Sequence, residues 1–192
     1  MLSHILLKGE CDPTISVGGI LPAIGGNIRV GQSETFLTEA CEYTNSFLSF
    51  FPTLGIILNM DADHLDFFKD IDDIRHSFRK FAELLPADGA LIINADTPKY
   101  EMVAENLPCK VITYGLEHDA EYSASDITYD EFGHPTFHVL HNGADIGICS
   151  LKVPGIHNVS NALASIAAGR LLGLDNEVIF AGLKDFGGTD RR

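Results

Sequence analysis

Several absences narrow the chain before anything in it is read. Its 192 residues hold four cysteines, Cys11, Cys41, Cys109 and Cys149, and no two form a CxxC pair. That spacing argues against a structural zinc site or a disulfide framework and fits reduced thiols in the cytoplasm. No apolar run approaches the roughly 20 residues needed to cross a bilayer. The opening MLSHILLKGE has no basic segment ahead of a long apolar stretch, so no signal peptide is expected. Positive charge is scarce: 13 basic residues against 27 acidic ones leave a net charge of −14 with no local basic patch. Nucleic acid and anionic membrane are therefore not expected partners. There is no GxxxxGK(S/T) phosphate-binding loop, no internal repeat and no low-complexity tract.

What is present is a globular pattern, with 45% hydrophobic residues to build a core. MLSHILLKG has the spacing of a helix closed by Gly9. TISVGGILPAIGGN gives a short strand and a glycine-rich loop. ETFLTEACEY and PTLGIILNM are expected as strands, and the apolar centre of the second suits a parallel strand covered on both faces. Ile71, Ile74, Phe78, Phe81 and Leu85 recur at helical spacing in DIDDIRHSFRKFAELLP. Its first turn is acidic and Pro86 stops it. GALIIN, a helix over PKYEMVAENL with Pro98 in its first turn, and KVITYG complete a βαβαβ series. The fold class is α/β, a mostly parallel sheet flanked by helices. Asn142-Gly143, between alternating runs, adds an antiparallel hairpin. Two more helices follow, over GIHNVSNALASIAAGRLLGL and DNEVIFAGLKDF. GGTDRR has the composition of a linker.

In a parallel sheet, ligands sit at the carboxyl ends of the strands. Glu39 closes one expected strand and His64 follows another within NMDADHLDFF, which puts both on one rim. A carboxylate and an imidazole together can serve a Mg²⁺ that also holds nucleotide phosphates, although Mg²⁺ prefers oxygen ligands. The other reading is that Asp61 or Asp63 caps a short helix and His64 is a surface residue. Gly18, Gly19, Gly25 and Gly26 would let backbone approach a phosphate or sugar, or else form a turn-rich connector. His157, Asn158 and Asn161 open a helix. Asn158 and Asn161 share a face, and their amides can read an adenine edge, unless Asn158 simply caps the helix.

Taken together, SVGGILPAIGGN, FLTEACEYTNSFLSFFPTLGIILNMDADHLDFFKD, SFRKFAELLP, VPGIHNVSNALASIAAGRLLG and FGGTDRR closely resemble the Mur ligases. The resemblance runs over nearly the whole chain. Its most specific parts are EAxEY and ADHLDFF in register with HNVxNAL. It implies a three-domain cytoplasmic enzyme of peptidoglycan synthesis: a UDP-sugar domain, a central ATP-binding domain and a C-terminal domain presenting the amino acid. This chain matches the central domain over residues 1–188, with residues 189–192 beginning a linker. The family's architecture is P-loop-NTPase-like, and its P-loop precedes a helix like MLSHILLKG. The chain is therefore expected to be a fragment that starts inside that helix and lacks the N- and C-terminal domains, with a tendency to self-associate.

The implied reaction joins L-alanine to the lactyl carboxylate of UDP-N-acetylmuramate at the expense of ATP, with Mg²⁺, through an acyl phosphate. The alternative is a catalytically inactive fragment or a nucleotide-binding module. By position, Glu39 and His64 correspond to the family's magnesium ligands. His157, Asn158 and Asn161 match its adenine-proximal motif, and Arg192 an interdomain arginine near ATP. Gly18, Gly19, Gly25, Gly26 and Asn27 match the segment facing the sugar nucleotide. Cys41 stands where many members carry Asp. No catalytic acid or base is assigned within this segment.

Overall fold

Ile5 and Leu6 set the buried side of the first helix, α1 (Leu2–Lys8). The computed structural model describes residues 1–189. Their contacts divide into two units, Met1–Glu39 with the segment from Tyr122 onward, and Ala40–Glu121. In the first unit, α1 ends at Gly9 with φ −80, an ordinary value rather than the left-handed one typical of a terminal glycine. Glycine serves there for room: a Cβ would lie 2.7 Å from Cδ2 of Leu174. β1 (Thr14–Leu21) is longer than expected and takes Gly18 and Gly19 into the strand. A 3₁₀ turn at Pro22–Ile24, closed by Gly25 at φ 68, returns the chain as β2 (Gly26–Arg29), antiparallel to β1. β3 (Phe36–Thr38) pairs parallel with β1. The expected strand ETFLTEACEY therefore shrinks to three residues.

The second unit carries the parallel series: β4 (Leu54–Ile57), α2 (Ile71–Ala82), β5 (Ala90–Asn94), α3 (Glu101–Ala104) and β6 (Lys110–Tyr114). β5 pairs in parallel with β4 on one edge and β6 on the other. Ala90 to Ile93 are all buried, which is why the run has no polar alternation. α2 begins where its sequence says it must. The Asp70 carboxylate accepts from the Asp73 N–H at 2.9 Å, and the Asp73 carboxylate accepts from the Lys69 N–H at 3.1 Å. This reciprocal pair satisfies two N–H groups at the helix start. The helix then buries Ile74 and Phe81. The helix expected from Pro98 to Leu107 is cut to four residues, because Lys99 (φ 61) and Asn106 (φ 55) take left-handed conformations on either side.

The chain rejoins the first unit with β7 (Tyr122–Tyr129), β8 (Pro135–His141) and β9 (Ala144–Ser150), an antiparallel meander. Asn142 and Gly143 both have positive φ, 50 and 78, as a two-residue hairpin turn requires. The polar stretch YSASDITY carried no strand signal of its own, and β7 was not expected. α4 (Ile156–Leu171) is buried along most of its circumference by Val159, Leu163, Ile166 and its alanines. α5 (Asn176–Asp185) packs so closely on α1 that a Cβ on Gly182 would lie 2.7 Å from Cα of Ile5. Lys8 and Asp185 pair at 2.9 Å beside that contact. The result is an α/β fold with parallel strands and more antiparallel strands than one hairpin.

Candidate functional site

The loop carrying His64 hangs between two buried anchors, Met60 and Phe68. At its start, the carbonyl of Leu58 accepts from Asn94 Nδ2 at 3.2 Å and from the Tyr114 hydroxyl at 3.3 Å. The end of β4 is thereby tied to the ends of β5 and β6. Burial pushes the Tyr114 phenol above its ordinary range, so it stays a neutral donor. Between the anchors the chain makes a turn and no helix. Asp61 and Asp63 cap nothing helical; Asp63 Oδ1 accepts from the His64 N–H at 2.7 Å. His64 itself has φ 54, and its carbonyl closes the turn by accepting from Phe67 and Phe68 at 2.9 and 3.0 Å.

The segment at 40–50 supplies the neighbours of His64. Tyr43–Ser49 is a 3₁₀ segment broken by two left-handed residues, Thr44 (φ 54) and Asn45 (φ 60). A β-branched residue there is strained, and several contacts hold it. The Ser46 hydroxyl donates to the carbonyls of Cys41 and Tyr43 at 3.0 and 2.8 Å. The Ser77 hydroxyl donates to Asn45 Oδ1. Phe47 is stacked on Phe81, with centroids 4.9 Å apart and planes at 2°. This kinked turn sets Glu42 Oε1 3.5 Å from His64 Nε2 and the Tyr43 ring 4.6 Å from the imidazole, tilted by 32°. The Tyr43 hydroxyl donates to Asp66 at 2.7 Å, and this bond pushes the phenol pKa up. Glu42, Asn59, Met60, Asp61 and Asp63 line a recess of about 170 Å³ with Ile74 and Phe78. Glu42 and Tyr43 were not assigned a site role from the sequence, and Asp66 figured only as one of the acidic residues around His64. The only signal for the first two was their place in EACEY.

Asp96, just past β5, organises the next loop. Its carboxylate accepts from the N–H groups of Leu116, Glu117 and His118 at 2.6, 3.1 and 2.9 Å, and lies 3.1 Å from His118 Nδ1. Burial pushes its pKa up, but these hydrogen bonds outweigh burial and hold it below the usual value.

In the first unit, Glu39 follows β3 and continues its pairing, its N–H donating to Ser16 at 3.0 Å. Its Oε2 accepts from the Gly18 N–H at 2.9 Å. Gly25 and Gly26 have open space where a Cβ would be, and Asn27 is exposed on β2. At the start of α4, Gly155 (φ 97, ψ 146) is the capping position rather than Asn158. Asn158 lies inside the first turn and donates from Nδ2 to the Pro154 carbonyl at 2.8 Å. The His157 ring folds over Gly155. Asn161 follows one turn on, its carbonyl accepting from Ser165 Oγ at 3.0 Å. Arg192 lies outside the described residues. Glu39 and His64 fall in different units.

Among the described residues, no three His, Cys, Asp or Glu side chains are grouped to hold a metal by themselves. Mg²⁺ is ordinarily held by one or two carboxylates with waters and phosphates completing its shell, and needs no closed protein cage. The Glu42 carboxylate at the edge of the His64 ring is the kind of oxygen donor that such a shared ion takes.

The model of the Mur ligase middle domain matches residues 21–169, and the chain belongs to the Mur ligase family. The UDP-N-acetylmuramate–L-alanine ligase of Lachnospira eligens is 60% identical over 193 aligned residues, which cover all of this chain and 42% of that protein. The ligase of the same name from Agathobacter rectalis is 55% identical, again over the whole chain and 42% of its own length. Among solved structures, UDP-N-acetylmuramate–alanine ligase from Thermotoga maritima superposes with a TM-score of 0.85 at 28% identity, over 100% of this chain and 42% of that one. The UDP-N-acetylmuramate:L-alanyl-γ-D-glutamyl-meso-diaminopimelate ligase from Neisseria meningitides gives a TM-score of 0.87 at 26% identity, over 99% and 62%. The chain thus spans about two-fifths of the length of the curated relatives it matches.

Proposed function

We propose that the chain is the central, ATP-binding part, residues 1–188, of a cytoplasmic ligase that joins L-alanine to UDP-N-acetylmuramate in peptidoglycan synthesis. The observation that carries this is the 60% identity, extending over the whole chain, to a ligase of that name. In this reading the lactyl carboxylate attacks the γ-phosphate of ATP, releasing ADP and giving an acyl phosphate, and the alanine amine then displaces inorganic phosphate and loses a proton to form the amide. Mg²⁺, when bound, neutralises charge on the phosphates and on the developing oxyanion. Glu39 and His64 hold it and transfer no proton. Asn158 and Asn161, with His157 beside them, face adenine. The Asn158 bond to Pro154 holds its amide in one orientation. Gly18, Gly19, Gly25, Gly26 and Asn27 face the sugar nucleotide. The partners are the N- and C-terminal domains of the longer protein.

The test is a chimera in which this segment replaces its counterpart in the Lachnospira eligens ligase. Alanine- and UDP-N-acetylmuramate-dependent ADP release, lost on His64→Ala, is the expected result. A folded, inactive chimera counts against the reading.

A further inference from the structure

An exposed loop histidine is a poor ligand unless something fixes its ring. A productive ligand must hold its direction to within about 10–20°, and the backbone of the 61–67 turn does not constrain side-chain rotation. The constraint comes from elsewhere. The Tyr43 ring lies against the face of the imidazole at 4.6 Å. Tyr43 is held in turn, because its hydroxyl is bonded to Asp66 on the same loop as His64 and the Phe67 ring meets it edge-on at 6.1 Å. The EACEY segment is thus tied to the stretch just after His64 at two points, Asp66 and Phe67, and Glu42 stands at the Nε2 edge. The strained Thr44–Asn45 kink is what turns Tyr43 into this place.

We infer that Tyr43, braced by Asp66, is a positioning residue that sets the plane of the His64 imidazole toward the cation. This rests on the proposed reading of His64 as a cation ligand and extends it to a side chain that touches neither cation nor substrate.

The experiment uses the 192-residue chain with ¹³C-labelled histidine and Mn²⁺ as the probe. It follows paramagnetic broadening of the His64 Cε1–H signal and of the Asp63 and Leu65 amides. Tyr43→Leu is expected to remove the ring-current displacement of the His64 signal. It should also raise the Mn²⁺ concentration for half-broadening by about tenfold, the low end for removing a group that orients a ligand. Tyr43→Phe keeps the ring and loses only the bond to Asp66, so a rise of about threefold is expected. A merely structural role would lower the unfolding midpoint without moving the Mn²⁺ response. If folded Tyr43→Leu responds to Mn²⁺ as the unmodified chain does, the inference is overturned. If it does not fold, an unchanged response in Tyr43→Phe overturns it. His64→Ala separates the two layers: undiminished broadening of the neighbouring amides there removes the cation reading itself, and this inference with it.

Discussion

The backbone N–H of Gly18 donates to Oε2 of Glu39 at 2.9 Å, so the glycine pair and the carboxylate form one local arrangement. A glutamine at position 39 can still accept that hydrogen bond but carries no charge. Glu39→Gln should therefore keep the unfolding midpoint and weaken Mn²⁺ binding at least about tenfold. Thermal unfolding and a Mn²⁺ titration check the two halves. Unchanged Mn²⁺ binding would rule out Glu39 as a cation ligand.

Asp96 makes acid stability testable. Its folded-state pKa is depressed below the ordinary 3.8. Its contribution is then complete above that value and is lost as pH falls from there through the lower folded value. Asp96→Ala should cost about 1–3 kcal/mol at pH 7, since three N–H groups, two of them exposed and one half-buried, lose a charged acceptor. The deficit should shrink as pH is lowered below 4. Urea melts at pH 7 and pH 3 measure both, and a pH-independent difference would contradict the electrostatic account.

Gly182 sits where α1 and α5 meet backbone to backbone. Because the obstruction is Cα and N of Ile5 rather than a movable side chain, Gly182→Ala should destabilise by about 1–3 kcal/mol. That is opposite in sign to the gain alanine usually brings inside a helix. Chemical denaturation decides between them.

Gly155 has a backbone conformation, φ 97 and ψ 146, that is nearly reserved for glycine. Gly155→Ala should cost about 1–3 kcal/mol and disturb the first turn of α4, where Asn158 and Asn161 lie. If those asparagines face adenine, ATP binding measured by calorimetry in the chimera should fall along with stability.

The 192-residue chain by itself should show no alanine-dependent ADP release. It contains no GxxxxGK(S/T) loop, and that backbone cradle with its lysine supplies most contacts to a triphosphate. A coupled ADP assay tests this, and turnover above background would contradict it.

Features set by neighbours in the chain were legible in advance. α2 was, because Ile71, Ile74, Phe78 and Phe81 repeat at its period and Asp70 and Asp73 cap it from within its own first turn. The Asn142-Gly143 hairpin was, because positive φ at both positions is a local demand. The same logic failed where local signals were weak or overridden. β7 is polar enough to hide. The helix after Pro98 was interrupted by Lys99 and Asn106. The strand expected over ETFLTEACEY gave way, after Thr38, to a kinked turn.

The sequence by itself determined the family, the α/β class and the chemical types available at the candidate site: a carboxylate at 39, an imidazole at 64, amides at 158 and 161. Only the tertiary structure decided which side chains serve them. Gly18 holds Glu39 because β3 pairs in parallel with β1, and Tyr43 faces His64 because Phe47 is anchored on α2. Such contacts depend on strand register and core packing between distant segments. A spacing rule that looks only a few residues along the chain does not contain that information.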